Sequence, residues 1–262
     1  KKVDGPRLLA AGIGMKGSHG AGHIGMPHCG AGEIRHTCRE NLKKGADLLK
    51  LFITPGVPDP ASTFVPSFLS LEEISTAVSE GARLGIPTAA HCIGGQGLKD
   101  CIDGGVDVIE HMYMAAEQDV ERLAASRCVV DLTSGIFLDP SREEFLSPAN
   151  ALKVRLNRSR VRENVARIIK ARLPFVLGTD AYHGFLYREV GYAVELGADP
   201  VTAIQGVTSR AARVCRLEDR IGKLENGMEA DIIAVEGNPL EDVSRLSQVG
   251  LVMKGGVVYR QP

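Results

Sequence analysis

Six short runs of nearly continuous aliphatic residues recur in this chain, at 7–11, 47–53, 87–91, 106–111, 129–133 and 174–180. Each is followed by a glycine-rich or polar loop and then by a stretch whose apolar residues repeat with helical spacing. Continuous rather than alternating apolar residues mark strands covered on both faces, the condition of a parallel sheet. The clearest helix start is Ser70-Leu71-Glu72-Glu73, a capping-box pattern leading into Ile74, Ala77 and Val78. A second is Asp199-Pro200, an N-cap followed by proline at the first helical position. Further helices are predicted at 33–44, 96–103, 117–125 and 152–171, with Gly45, Gly85 and Gly104 near their ends. Strand then helix, repeated in this way, predicts an α/β domain with a parallel sheet. After Cys215 the texture changes to short runs at 221–224, 230–235 and 249–259, separated by turn residues, with a brief helix candidate at 240–246. That tail predicts a small, mostly β appendage.

Composition removes several function classes. The chain carries 31 Lys+Arg against 32 Asp+Glu, so no basic excess exists to neutralise a nucleic acid. No window reaches the roughly 18 uninterrupted apolar residues of a membrane span. The six cysteines, Cys29, Cys38, Cys92, Cys101, Cys128 and Cys215, include no C-x-x-C and indicate neither a disulfide framework nor a zinc ribbon. A reducing, cytoplasmic setting is the default expectation.

In parallel α/β folds the chemistry sits at the carboxyl ends of the strands. Lys50, His91, His111 and Asp180 all fall at or near such ends. Taken singly, each histidine reads as a hydrogen-bonded structural residue and Asp180 as a turn or cap. Lys50 resists that treatment, because a lysine between Leu-Leu and Leu-Phe in a buried strand carries a charge that needs a partner or a modification. A lysine with a depressed pKa can react with carbon dioxide to form a carbamate, an anion able to bridge two metals. Neutral imidazoles suit zinc or a similar divalent ion, and a carboxylate can both ligate and accept a proton from bound water. Such a site favours hydrolysis of an amide or related C–N bond.

The run Gly45-Ala46-Asp47-Leu48-Leu49-Lys50, the segment 87–91, Val106-Asp107-Val108-Ile109-Glu110-His111 and Gly178-Thr179-Asp180-Ala181 together resemble the amidohydrolase superfamily. The similar branch is that of imidazolonepropionase-related proteins and Xaa-Pro dipeptidases (prolidase-like). The tail from Leu217 to Asp231 and Gly237-Asn238-Pro239-Leu240 are similar to that family's return into a β-sandwich. The resemblance implies a TIM-type (β/α) barrel over 1–215 and part of a β-sandwich over 216–262. It implies metal-dependent hydrolysis of an amide in a dipeptide or acyl-amino acid by a metal-bound hydroxide. Lys50 would be the carbamylated bridging ligand, His91 and His111 would hold one metal, and Asp180 would bind the other and relay the proton. Gly17-Ser18-His19-Gly20 resembles the family's Gly-Gly-His-Gly loop, which makes His19 the candidate for polarising the substrate carbonyl or oxyanion. Tyr113 stands where a family tyrosine contacts substrate, and His183 is a candidate supporting group.

Family members carry a His-x-His pair at the end of the first barrel strand, and this sequence contains none. The expectation is therefore two zinc ions in a longer parent and at most one well held here. The chain opens Lys-Lys-Val, and only six barrel strands can be counted, so the first two strands are expected upstream. A sheet with two open edges would need a partner, and a homo-oligomer is compatible with that. The alternatives within the class are a cyclic-amide or phenylurea-type hydrolase and a catalytically impaired relative.

Gly12-Ile13-Gly14-Met15-Lys16-Gly17 matches G-x-G-x-x-G and makes a dinucleotide-binding oxidoreductase the rival from another class. That fingerprint needs a helix opening at the motif, and the glycine-rich stretch to Gly32 predicts a flexible substrate loop instead. His19, His23, His28 and Cys29 could form a separate metal cluster, but no helix would hold them on one face. Cys92 should face the helices, because neighbouring strand residues point to opposite sides.

Overall fold

The computed structural model describes residues 5–20, 25–180 and 184–261. Seven strands, β1 (Met15–Gly17), β2 (Met26–His28), β3 (Leu49–Phe52), β4 (Thr88–Gly94), β5 (Val108–Met114), β6 (Val129–Leu132) and β7 (Phe175–Leu177), form one sheet. Every pairing is parallel, and the order is β2-β1-β3-β4-β5-β6-β7. The helices are α1 (Ala31–Lys43), α2 (Leu71–Ala82), α3 (Gly95–Gly104), α4 (Glu117–Ala124), α5 (Gly135–Leu138), α6 (Pro148–Lys170), α7 (Leu186–Glu195), α8 (Pro200–Gly206) and α9 (Ser209–Val214). No helix among the described residues is long and apolar enough to cross a membrane.

The helix-facing side of the sheet supplies the core. Leu49, Leu51, Ala90, Cys92, Ile109 and Leu132 are buried there with Ile34, Ile74, Leu98 and Ile168 from the helices. Ser70 and Glu73 close the predicted capping box at the start of α2. Asp199 caps α8 through the Thr202 N–H, as its pairing with Pro200 predicts. The helix beyond Pro200 is broken at Val207 and Thr208, so two short helices replace one. α6 starts earlier than predicted, because Ser147 caps it and Pro148 occupies its first turn. Arg158 and Arg160 of α6 donate to the carbonyls of Phe137 and Ser62, so the helix ties down two loops.

Residues 7–11 form no strand: Arg7 is ion-paired with Glu229 and Asp231, Ala10 exchanges hydrogen bonds with Asp47, and Leu8 is 80% exposed. Among the described residues, the glycine-rich stretch, expected to be a flexible loop, contributes β1 and β2, so seven parallel strands are present there rather than six. β1 occupies the very residues where a dinucleotide fingerprint would open a helix, which removes that rival's phosphate site. Its last residue must be glycine, since a Cβ on Gly17 would stand 1.7 Å from the Phe68 carbonyl oxygen.

The tail holds β8 (Ile232–Val235), β9 (Val249–Lys254) and β10 (Val257–Arg260) in a separate antiparallel sheet of order β10-β9-β8. The predicted strand at 221–224 is absent, and a 3-10 turn at Val243–Ser247 replaces the helix candidate.

Candidate active site

Strand register gathers the polar residues. Lys16 lies opposite Phe52, Phe52 opposite His91, His91 opposite Glu110, and Glu110 opposite Asp131. These residues form one row across β1, β3, β4, β5 and β6 on the face away from the helices. Lys50 shares that face because Leu49 and Leu51, its neighbours in β3, are fully buried on the other.

Lys50 is ion-paired with Glu110, and the two side chains are 19% and 16% exposed. Burial pulls the Lys50 ammonium down to about 8, against the opposing pull of Asp180 and Asp131. Asp131 moves the other way: burial pushes its carboxyl up to about 7, and its Oδ1 is buried with no hydrogen-bond partner. Both shifts disfavour the charged form, as desolvation requires.

The histidines approach each other with ring centroids 4.6 Å apart. His91 Nε2 donates to the Pro55 carbonyl at 3.1 Å, which leaves Nδ1 with its lone pair. His111 Nδ1 hydrogen-bonds Thr133 Oγ1 at 2.7 Å, which leaves Nε2 on the side of Glu110, 3.9 Å from Oε2. Burial lowers both imidazoles, His111 well below the usual range, so both are neutral at pH 7. Alternation along β5 would send His111 to the helix side. A left-handed backbone at His111 and Met112, with φ of 79° and 53°, turns it back. Asp180, just beyond β7, is left-handed too, with φ 54°. Such conformations cost a non-glycine residue about 1–2 kcal/mol and persist where surrounding contacts hold them.

The remaining candidates are placed differently. His19 is exposed just past the end of β1, edge-on to Phe68 at 5.7 Å, with no described contact to the Lys50 cluster. Tyr113 is buried; its hydroxyl donates to the Thr133 carbonyl at 2.9 Å, and its ring lies 5.3 Å from that of His111. That places it behind His111, where it has no face open to a substrate. His28 spends both ring nitrogens, on the Met26 carbonyl and Thr37 Oγ1, and so cannot join a loop metal cluster. His23 and His183 lie outside the described residues. Cys92 faces α3 as expected, with its thiol against Cys101.

Glu110 and Asp131, which stand within rather than at the ends of their apolar runs, join His91 in the row as further candidate residues. Like Lys50, each is a charged residue inside an apolar strand, in Val108-Ile109-Glu110 and Val129-Val130-Asp131. Among the described residues, no group of three or more His, Cys, Asp or Glu side chains is gathered closely enough to hold a metal ion. The donor chemistry nevertheless fits a divalent cation: two imidazoles kept neutral by burial, a lysine with a lowered pKa, and buried Asp131 Oδ1 without a partner.

The amidohydrolase family profile matches residues 2–258. The chain belongs to the amidohydrolase family. This amidohydrolase is 32% identical over 248 residues to ochratoxinase of Aspergillus niger, a match covering 89% of this chain and 50% of that protein. It is 23% identical over 179 residues to imidazolonepropionase of Desulfotalea psychrophila, covering 64% of this chain and 38% of that protein. The chain thus spans about half the length of the ochratoxinase it matches. Among solved structures it superposes on a Xaa-Pro dipeptidase with methionine bound in the active site, at TM-score 0.85 and 29% identity. That match covers 98% of this chain and 69% of the dipeptidase. The structure of A. niger ochratoxinase superposes with TM-score 0.81 and 27% identity, covering 98% and 67%.

Proposed function

We propose that this amidohydrolase cleaves the amide C–N bond of a dipeptide or acyl-amino acid with the help of a divalent metal, zinc by its donor set. The observation that carries the reading is the meeting of the His91 and His111 rings beside Lys50 at the carboxyl ends of adjacent parallel strands. Similarity to a Xaa-Pro dipeptidase and to ochratoxinase supports it. In this reading residues 1–215 are part of a TIM-type barrel and 216–262 part of a β-sandwich.

His91 Nδ1, His111 Nε2 and a carbamate on Lys50 would hold one metal, and the Asp180 carboxylate would bind the second metal expected of a longer parent. Bound there, the metal would supply an activated water at neutral pH and polarise the amide carbonyl. Carbamate formation joins the neutral Lys50 amine to carbon dioxide and releases one proton. It also dissolves the ion pair with Glu110, so two anions then face one another until a cation enters. Asp180 accepts the proton of the attacking water and passes it to the leaving amine. In this reading His19, from beyond the end of β1, would polarise the carbonyl, and Tyr113 would act through Thr133 and His111.

The test combines metal analysis with assays of amine release from Xaa-Pro dipeptides and N-acyl amino acids, with and without bicarbonate. One metal per chain, a carbamate signal after 13C-bicarbonate labelling, and hydrolysis would support the reading. Absence of metal, carbamate and turnover would overturn it.

A further inference from the structure

Arg142 heads the fully buried side chains by volume. It stands in the 3-10 turn Pro140–Phe145 between α5 and α6. Its Nη2 donates to Glu189 Oε1 at 3.0 Å, and Glu189, on α7, is equally without exposed surface. Both Glu189 oxygens accept from the Gly135 N–H, at 3.0 and 3.1 Å. Asp139 Oδ2 lies 3.6 Å from Arg142 Nε and is itself held by Arg188 at 2.6 Å. The packing is closed: a Cβ on Gly135 would stand 2.4 Å from Arg142 Nη2 and 2.5 Å from Glu189 Oε1. From this cage Arg142 Nη1 donates to the Thr179 carbonyl at 3.4 Å.

Stability does not account for such a pair. Taking two charges out of water costs several kcal/mol, and apolar residues of similar volume hold segments together as well or better. The pair adds a directed donor, and one of its acceptors is the carbonyl of Thr179, the residue before Asp180. Asp180 has a left-handed backbone, φ 54°, a region that aspartate tolerates better than most L residues but that neighbouring contacts can still favour or release. Its carboxylate acts electrostatically on Lys50, His91 and Asp131, so this backbone aims it toward the row of polar residues.

We propose that the buried Arg142–Glu189 pair is a positioning device: by clamping the Thr179 carbonyl it holds Asp180 left-handed and directs its carboxylate at the Lys50–His91 cluster. The catalytic consequence rests on the reading of Asp180 as proton relay; the structural consequence does not.

The experiment compares the wild-type chain with R142M/E189L, which replaces the pair by apolar side chains, and with R142K, which keeps a charge and a donor. Crystal structures read the Thr179–Asp180 backbone, urea unfolding reads stability, and dipeptide hydrolysis reads kcat and KM separately. The double variant is expected to fold, losing no more stability than the orphaned Gly135 N–H accounts for, and to release Asp180 from the left-handed region. Its kcat should fall by about 10- to 100-fold with KM within about twofold, and R142K should recover part of the loss. If the double variant does not fold, R142M alone gives the same reading, because Glu189, pushed up to about 7 by burial, can take up a proton. An unchanged Asp180 backbone in a folded variant without Arg142 would overturn the proposal. Absence of hydrolysis by the wild type would instead count against the proposed function and leave the structural comparison intact.

Discussion

The imidazole of His111 lies 4.6 Å from that of His91, although strand register places His111 opposite Cys92 and His91 opposite Glu110. A regular β5 would send the His111 ring toward α3, where the Cys92 thiol already points. The left-handed residues His111 and Met112 carry it across the sheet, and the Thr133 hydroxyl holds its Nδ1 edge. Local strain here serves to bring two neutral imidazoles to one point.

Replacing either His91 or His111 by alanine should weaken Zn2+ binding by more than about 100-fold, because each removes one of only two imidazoles in the donor set. Competition titration with a chromogenic chelator measures this. Binding that survives both substitutions would place the metal elsewhere.

Lys50→Met leaves Glu110 as a part-buried carboxylate without its partner. Unfolding in urea should show a loss of about 2–4 kcal/mol. Adding Glu110→Leu should restore most of it. If the single substitution is neutral, the ion pair contributes nothing to stability.

The Asp131 carboxyl sits at about 7 in the folded chain against an unfolded value of 3.8. Between those values the folded state binds the extra proton, so this group favours folding at low pH and loses that contribution as pH rises through about 7. The stability of metal-free wild type relative to Asp131→Asn should therefore fall from pH 4 to pH 7, by about a kcal/mol or more. A flat difference across that range would refute the assigned burial.

Gly17→Ala drives a Cβ into the Phe68 carbonyl, which its backbone cannot yield without moving β1. A loss of about 3 kcal/mol is expected, read by the shift of the urea midpoint. Ser70→Ala, which removes the α2 cap but no packing, should cost only about 1 kcal/mol.

Much of this molecule is written locally. The capping box at Ser70, the Asp199-Pro200 helix start and the apolar runs that become β3 to β7 are legible because propensity and periodicity act over a few residues. Lys50 announced itself for the same reason, as a charge inside an apolar strand. β1 and β2 were not legible: three-residue strands in glycine-rich chain carry no pattern, and they exist because β3 offers β1 an edge and β1 in turn offers one to β2. The run at 7–11 had the composition of a strand but found no sheet, being drawn by Arg7 to acidic residues more than two hundred positions away.

The sequence alone thus determined the parallel α/β class, the five apolar segments that become β3 to β7, and the candidate residues near their ends. Only the tertiary structure decided that Glu110 and Asp131 share a row with His91, that His111 crosses to join them, and that Tyr113 stands behind the site. The reason is physical: alternation and burial are properties of a short segment, whereas register and a left-handed turn are fixed by hydrogen bonds and contacts with residues far away in the chain.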